Sequence, residues 1–283
     1  FMAMGFLPHR NIKVPFFPKF GKDSETQPPM YMDLTRFVPG GDIMDLGSPG
    51  IPGLPASLQP SLGLAGEIMF PLLGYYLFRT EDATSENPVE ESYWVEAAER
   101  ADSLGVDMIN TSLGYRVYNN SNYDYTPADM NGQVAFISKG ASIAVEKGIL
   151  VVVSAGNSGA TTWQTVSAPA DSPDVLSIGG VDADGDYVTF SSQGGVAQVG
   201  YQKPDVVARA GGAYVIAEDN TITQNNGTSF SGPILCGGIA SLWQAIPDAS
   251  PMEVMDYVRQ SASQFNTPDD LLGYGIPDLD LAR

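Results

Sequence analysis

The stretch GILVVVSAGNSG, residues 148–159, decides the fold class. A glycine opens it, the apolar run Ile149 to Val153 follows, and small residues bracket Asn157 at its end. An unbroken, β-branched-rich run of this kind suits a strand covered on both faces of a parallel sheet. Toward the N-terminus, Val134, Ile137, Ala141, Ala144 and Val145 recur at helical spacing, and Gly148 closes that helix. VDMINTSLG (106–114) reads as the preceding strand. Before it, Trp94, Ala97, Ala98, Ala101 and Leu104 mark another helix, entered through Asn87-Pro88-Val89-Glu90 and stopped at Gly105. YYLFRT (75–80) is the strand that starts the series. Toward the C-terminus, VLSIGGV (175–181), DYVTF (186–190) and PDVVA (204–208) are further strand candidates. Strands alternating with helices in this order form right-handed βαβ units, so the expected class is α/β with a mainly parallel sheet covered by helices.

Composition narrows the function. The 283 residues hold 14 Lys+Arg against 33 Asp+Glu, a net charge of −19, which disfavours nucleic acid or an anionic membrane as the main partner. One cysteine, Cys236, leaves no intrachain disulfide and no thiolate cluster, and it reads as a small core residue. The single histidine, His9, limits any mechanism that needs an imidazole base. No cofactor and no metal are expected. Asp182, Asp184 and Asp186 resemble the start of a calcium loop but lack its distal Glu, so a solvated turn is the reading there.

The charge is uneven along the chain. Residues 1–74 carry a net of −1, hold 11 of the 21 prolines, and show no regular periodicity. Within them, residues 46–73 carry one charge and five prolines, a density that breaks any spanning helix, so no transmembrane segment is expected. The sequence opens at Phe1 without a signal-like pattern. It therefore reads as a fragment or processed form, and any export signal lies outside it.

Three segments carry possible chemistry. In NNGTSFSGPILCGGIASLWQA (225–245), Ser229 precedes a helix whose buried side is expected to include Ile234, Leu235, Ile239, Leu242 and Trp243, with Pro233 in its first turn. Unsatisfied backbone N–H groups at such an end suit a nucleophile that generates an oxyanion, although a plain N-cap role fits the same serine. At the end of the 149–153 run, Asn157 lies where parallel sheets gather ligand groups, and its amide could either donate to developing charge or complete a turn. INTSLGY (109–115) is a third strand end that opens into small residues.

Together these segments resemble the subtilisin-like serine peptidases. GTSFSGP (227–233) resembles the family's nucleophile signature, SAGNSG (154–159) its oxyanion segment, and NTSLGY (110–115) the strand lining its specificity pocket. FSSQG (190–194), KPDVVA (203–208) and YGIPDL (274–279) follow in the family's order. The resemblance implies the subtilisin-like three-layer fold and hydrolysis of peptide bonds through an acyl-enzyme. It implies Ser229 as nucleophile, Asn157 as oxyanion donor, and Ser112, Leu113, Gly114, Ala155 and Gly156 as residues that hold the substrate. A polypeptide substrate, a monomeric state, and secretion or attachment to the cell envelope belong to the same expectation. The acidic run EDATSENPVEE (81–91) would border the cleft, where it would suit basic residues in substrates.

The family also needs an Asp and a His upstream, and here the sequence departs from it. The H-G-T segment is expected near Ser48-Pro49-Gly50-Ile51, where there is no histidine, and His9 lies far too early. Asp23, Asp33, Asp42 and Asp45 lack the family's D-[ST]-G context. Residues 1–74 are therefore set apart as an atypical segment, and residues 75–283 as the peptidase domain. Either the chain has lost its base, or a reading-frame error or mis-joined fragment has replaced the natural N-terminal third. The second explains why acidity, periodicity and motifs all begin at one place.

Overall fold

The computed structural model describes residues 2–6, 13–16, 30–33 and 73–282, apart from 83, 196, 218 and 219. His9, Asp23, Asp42, Asp45 and the 48–51 region lie outside the described residues. In chain order the elements are β1 (Met2–Phe6), β2 (Lys13–Phe16), β3 (Met30–Asp33), β4 (Leu73–Leu77), α1 (Val89–Ser103), β5 (Met108–Thr111), α2 (Phe136–Glu146), β6 (Leu150–Ser154), β7 (Leu176–Val181), β8 (Val206–Arg209), β9 (Ala213–Ile216), β10 (Ile222–Asn225), α3 (Thr228–Ala245) and α4 (Pro251–Gln260).

The main sheet has six strands in the order β4-β1-β5-β6-β7-β8. From β5 to β8 every pairing is parallel, with Met108 to Thr111 opposite Leu150 to Val153. β1 is the exception, since it runs antiparallel to both β4 and β5 and sets Met2 beside Asn110. Every residue of β5, β6 and β7 is buried, as the apolar run 149–153 predicts.

Alternation along the strands feeds two cores. Ile109, Val151 and Val153 point to one face, where they pack with Trp94, Ala98, Ile137 and Ala141 of α1 and α2. Met108, Leu150, Val152, Leu176, Ile178 and Val206 point to the other, against Leu235, Cys236, Ile239 and Trp243 of α3 and Val254 and Val258 of α4. Helix, sheet and helix thus form three layers. Burial moves the Cys236 thiol pKa upward, in keeping with a core role.

Four local expectations are corrected. DYVTF forms no strand: Asp182 Oδ1 accepts the N–H groups of Asp184 and Asp186, and Gly185 at φ +85° completes the turn, leaving Tyr187 in a lone bridge to Val181. α3 begins at Thr228, so Pro233 lies inside the helix rather than in its first turn, and Ile234 is half exposed. Val134 precedes α2 and faces solvent. The first turn of α1 is tied by Glu90, whose carboxylate accepts the Asn87 and Asp82 N–H groups, while Asn87 supplies no side-chain cap.

Buried charge fastens the layers. Glu91 of α1 accepts the Tyr118 and Tyr125 hydroxyls and the Ile137 N–H at the start of α2. On the opposite side, the fully buried Lys203 donates to the Val175 carbonyl at 2.7 Å and to Asp205 at 2.8 Å, and Asp205 also takes Arg259 of α4 at 2.6 Å. Among the described residues no helix is long and apolar enough to cross a membrane.

Candidate active site

Parallel strands β5 and β6 end side by side, and the N-terminus of α3 is drawn up against both ends. Ser112 Oγ, just past β5, donates to the Ser229 carbonyl at 3.0 Å. Ser154 Oγ, the last residue of β6, donates to the Thr228 carbonyl at 2.7 Å. Gly232 allows this approach, because a Cβ there would lie 2.8 Å from Ser154 Oγ. The first turn of α3 is therefore located by two hydroxyls from neighbouring strand ends rather than by a cap of its own.

Thr228 is the hub. Its N–H and Oγ1 both donate to Asn157 Oδ1, at 2.9 and 3.1 Å, and its Oγ1 accepts the Gly156 N–H at 3.1 Å. With its carbonyl oxygen anchored on Thr228, Asn157 presents its Nδ2 beside Gly227, whose absent Cβ would sit 3.6 Å from that nitrogen. Gly227 has φ +149°, a conformation that favours glycine, and its N–H is held by the Ala210 carbonyl.

Ser229 follows in the first helical turn, half-buried. Its N–H is one of the orphan donors of a helix N-terminus, and neither that N–H nor Asn157 Nδ2 has a partner among the described residues. Two free donors thus flank one hydroxyl, with the positive end of the α3 dipole behind them. This arrangement can stabilise an oxyanion formed by attack of the Ser229 hydroxyl. What it lacks is a proton acceptor: Ser229 Oγ makes no hydrogen bond among the described residues, which include no histidine.

The five residues expected to hold substrate frame this centre as two walls. Ser112, Leu113 and Gly114 continue from β5, and Ala155 and Gly156 continue from β6. Tyr115 bridges to Ala168, and the Ser167 N–H donates to the Ala155 carbonyl at 3.3 Å, so the 165–169 segment joins the walls. The sequence reading missed Thr228 and Ser167; a threonine set between the glycine and the serine of a nucleophile segment was the one available signal for Thr228.

The acidic run is a loop and helix start, as expected, but its carboxylates are largely turned inward. Oxygens of Glu81, Glu86 and Glu90 lie within 4.8 Å of one another. Glu90 is taken up by its own loop N–H groups, and Glu81 accepts the hydroxyl of the buried Tyr115. Burial lifts the Glu81 carboxyl above its ordinary range against the pull of that hydroxyl, and Glu90 adds to the lift.

Comparison with known proteins bears on the fold that carries this geometry. A family model described as Peptidase_S8, subtilase family, matches residues 71–275. Subtilisin DY of Bacillus licheniformis is 28% identical over 234 residues, which cover 82% of this chain and 75% of that one. Subtilisin E of Bacillus subtilis (strain 168) is 27% identical over 214 residues, which cover 75% of this chain but 49% of the relative, so the chain spans about half of that protein. Among solved structures, the prenylagaramide maturation protease PagA superposes with a TM-score of 0.54 at 24% identity over 68% of this chain and 66% of its own. MycP1 from Mycobacterium smegmatis gives 0.52 at 22% identity over 75% and 60%. At these identities the structural matches speak for the fold.

Proposed function

The chain belongs to the subtilase family, and from that premise we propose that residues 75–283 form a serine endopeptidase domain acting on polypeptides. Ser229 attacks the scissile carbonyl, and the resulting oxyanion is held by Asn157 Nδ2 and the Ser229 N–H. Ser112 to Gly114 and Ala155 to Gly156 align the substrate backbone. One observation carries this reading: both donors beside Ser229 are unengaged, while the rest of the Asn157 amide is tied to Thr228.

Turnover by this polypeptide is slow in the same reading. With no imidazole among the described residues the serine stays a hydroxyl, and loss of the histidine in a subtilisin costs about 10⁶ in kcat, leaving binding and oxyanion effects. The lack of a base among the described residues favours a second reading, a non-catalytic module that binds peptides in the same cleft. In either case the reading takes the domain as a monomer that acts outside the cytoplasm.

A fluorophosphonate probe separates the readings. Labelling of Ser229 that vanishes in Ser229→Ala is the peptidase outcome. Folded, peptide-binding protein that resists the probe is the outcome for the binding module.

A further inference from the structure

We propose that the concavity at the C-terminal end of α3 binds a primary alkylammonium group, a single positive charge on a short apolar stem, as in a free aliphatic amine or a lysine side chain. α3 has 18 residues, so this site lies about 25 Å along the helix from Ser229. The proposal goes beyond the cleft and holds whether or not Ser229 turns over.

The concavity measures about 800 Å³, the size of a small-ligand site. Three segments frame it: the end of α3 with the 246–249 loop, one side of α4, and the turn that ends at Ala282. Hydrogen bonds set each in place. Trp243 Nε1 donates to the Ala249 carbonyl at 2.9 Å and closes the loop against α3. Ser250 and Glu253 cap α4 reciprocally. The Asp278 carbonyl accepts the N–H groups of Leu281 and Ala282, and the Asp278 N–H donates to the Ser261 carbonyl at 3.3 Å, which ties the last turn to the end of α4.

Its charge is one-sided. Asp248 and Glu253 line it, and among the described residues no basic side chain does. The Asp248 carboxylate makes no hydrogen bond among the described residues. Glu253 uses Oε2 for the Ser250 N–H and hydroxyl, which leaves Oε1 over and holds the carboxyl below its ordinary range, so it is charged at neutral pH. α3 has no basic residue in its last turn, so the negative end of its dipole adds to the same field. Apolar surface lies beside these charges. Ile246 and Leu281 line the concavity, Leu281 is 73% exposed, and Tyr257 follows Glu253 by one turn on the same side of α4.

A carboxylate or phosphate would be repelled here, in a chain of net charge −19. A neutral apolar group would cover Leu281 but leave both carboxylates without a partner. A bare inorganic cation would meet the charges and gain nothing from Ile246, Leu281 or the Tyr257 ring. An ammonium on a short stem answers both halves of the site.

The test is a saturation-transfer NMR titration of the full chain with n-hexylammonium at low salt. A Kd of about 1 mM is expected, with 1-hexanol and hexanoate about tenfold weaker or worse. Asp248→Asn and Glu253→Gln should each weaken binding about threefold, and about tenfold together. Glu96→Gln with Glu99→Gln, on the exposed side of α1, should leave it unchanged, which separates the site from the chain's overall charge. Urea midpoints are read for every variant; Gln at 253 keeps a capping side chain, and Asp248→Asn removes no hydrogen bond, so it decides the matter if the cap variant loses stability. Nα-acetyl-lysine methylamide is titrated in parallel: tighter binding than n-hexylammonium assigns the site to a lysine of a polypeptide, and weaker binding assigns it to a free amine. Equal affinity for 1-hexanol and n-hexylammonium, no saturable binding by either amine up to about 20 mM, or an equal loss in the α1 variant overturns the proposal.

Discussion

Replacing Thr228 with valine tests whether the centre is held together from this one residue. The side chain is fully buried, and valine keeps its shape while deleting the hydroxyl that donates to Asn157 Oδ1 and accepts from the Gly156 N–H. Each bond is worth about 1 kcal/mol net, and the deprived Gly156 N–H, partly buried, adds up to about 1 kcal/mol more. The expected destabilisation is about 2 kcal/mol. With a urea m-value near 2.5 kcal/mol/M, the midpoint of unfolding should fall by about 0.8 M at unchanged slope. Thr228→Ser, which keeps the hydroxyl, should lose less than half as much. The Asn157 amide would then be held by the Thr228 N–H alone, so fluorophosphonate labelling in the valine variant should slow about tenfold, equivalent to about 1.4 kcal/mol. A valine variant within about 0.5 kcal/mol of the parent, or a serine variant as unstable as the valine one, would refute the hub assignment.

Lys203→Met keeps the stem but strands the Val175 carbonyl and unbalances Asp205, so a loss of about 3 kcal/mol is expected in urea unfolding, and a loss under 1 kcal/mol would count against the buried network. Burial pushes the Asp205 carboxyl up, but Lys203 and Arg259 outweigh it and hold its pKa below the ordinary 3.8. Its contribution to stability is therefore complete above that value and disappears as pH falls through the lower folded-state value; acid titrations should show a flatter loss in Asp205→Asn. A Cβ on Gly159 would lie 2.7 Å from the Thr189 carbonyl oxygen and closer still to that of Ser191, so Gly159→Ala should give little soluble folded protein, measured as yield and near-ultraviolet circular dichroism. Cys236 should resist a thiol reagent in the native state and react stoichiometrically in denaturant; rapid native reaction would mean that the α3 layer opens.

The three-layer arrangement was legible because its signals are local. Five consecutive apolar residues suit a strand covered on both faces, and the faces of α1 and α2 repeat at helical spacing over several turns. The start of α3 was less legible, because Ser112, Ser154 and Asn157, all more than 70 residues away in sequence, grip its first turn. That grip moves the start to Thr228 and overrides the preference of Pro233 for a first turn. DYVTF alternates like a strand, yet Asp182 gathers the following N–H groups into a turn before pairing can begin. Glu91 and Lys203 look like surface charge in the sequence, and only the tertiary fold supplies the tyrosines, carbonyl and Asp205 that make their burial tolerable. Ser229 and Asn157 stand out in the sequence only through the order of several segments, since either residue alone reads more readily as a cap or a turn.

The reversed direction of β1 decides what that strand can deliver. β5 and β6 point their C-terminal ends at Ser229, whereas β1 puts Met2 at that edge and carries Phe6 toward the opposite one. A strand is a one-way conveyor, and a residue that follows it emerges where the strand stops. The slot beside β5 is therefore filled, but its traffic runs away from the nucleophile, and β1 ends with Phe6 at the edge of the sheet opposite Ser229.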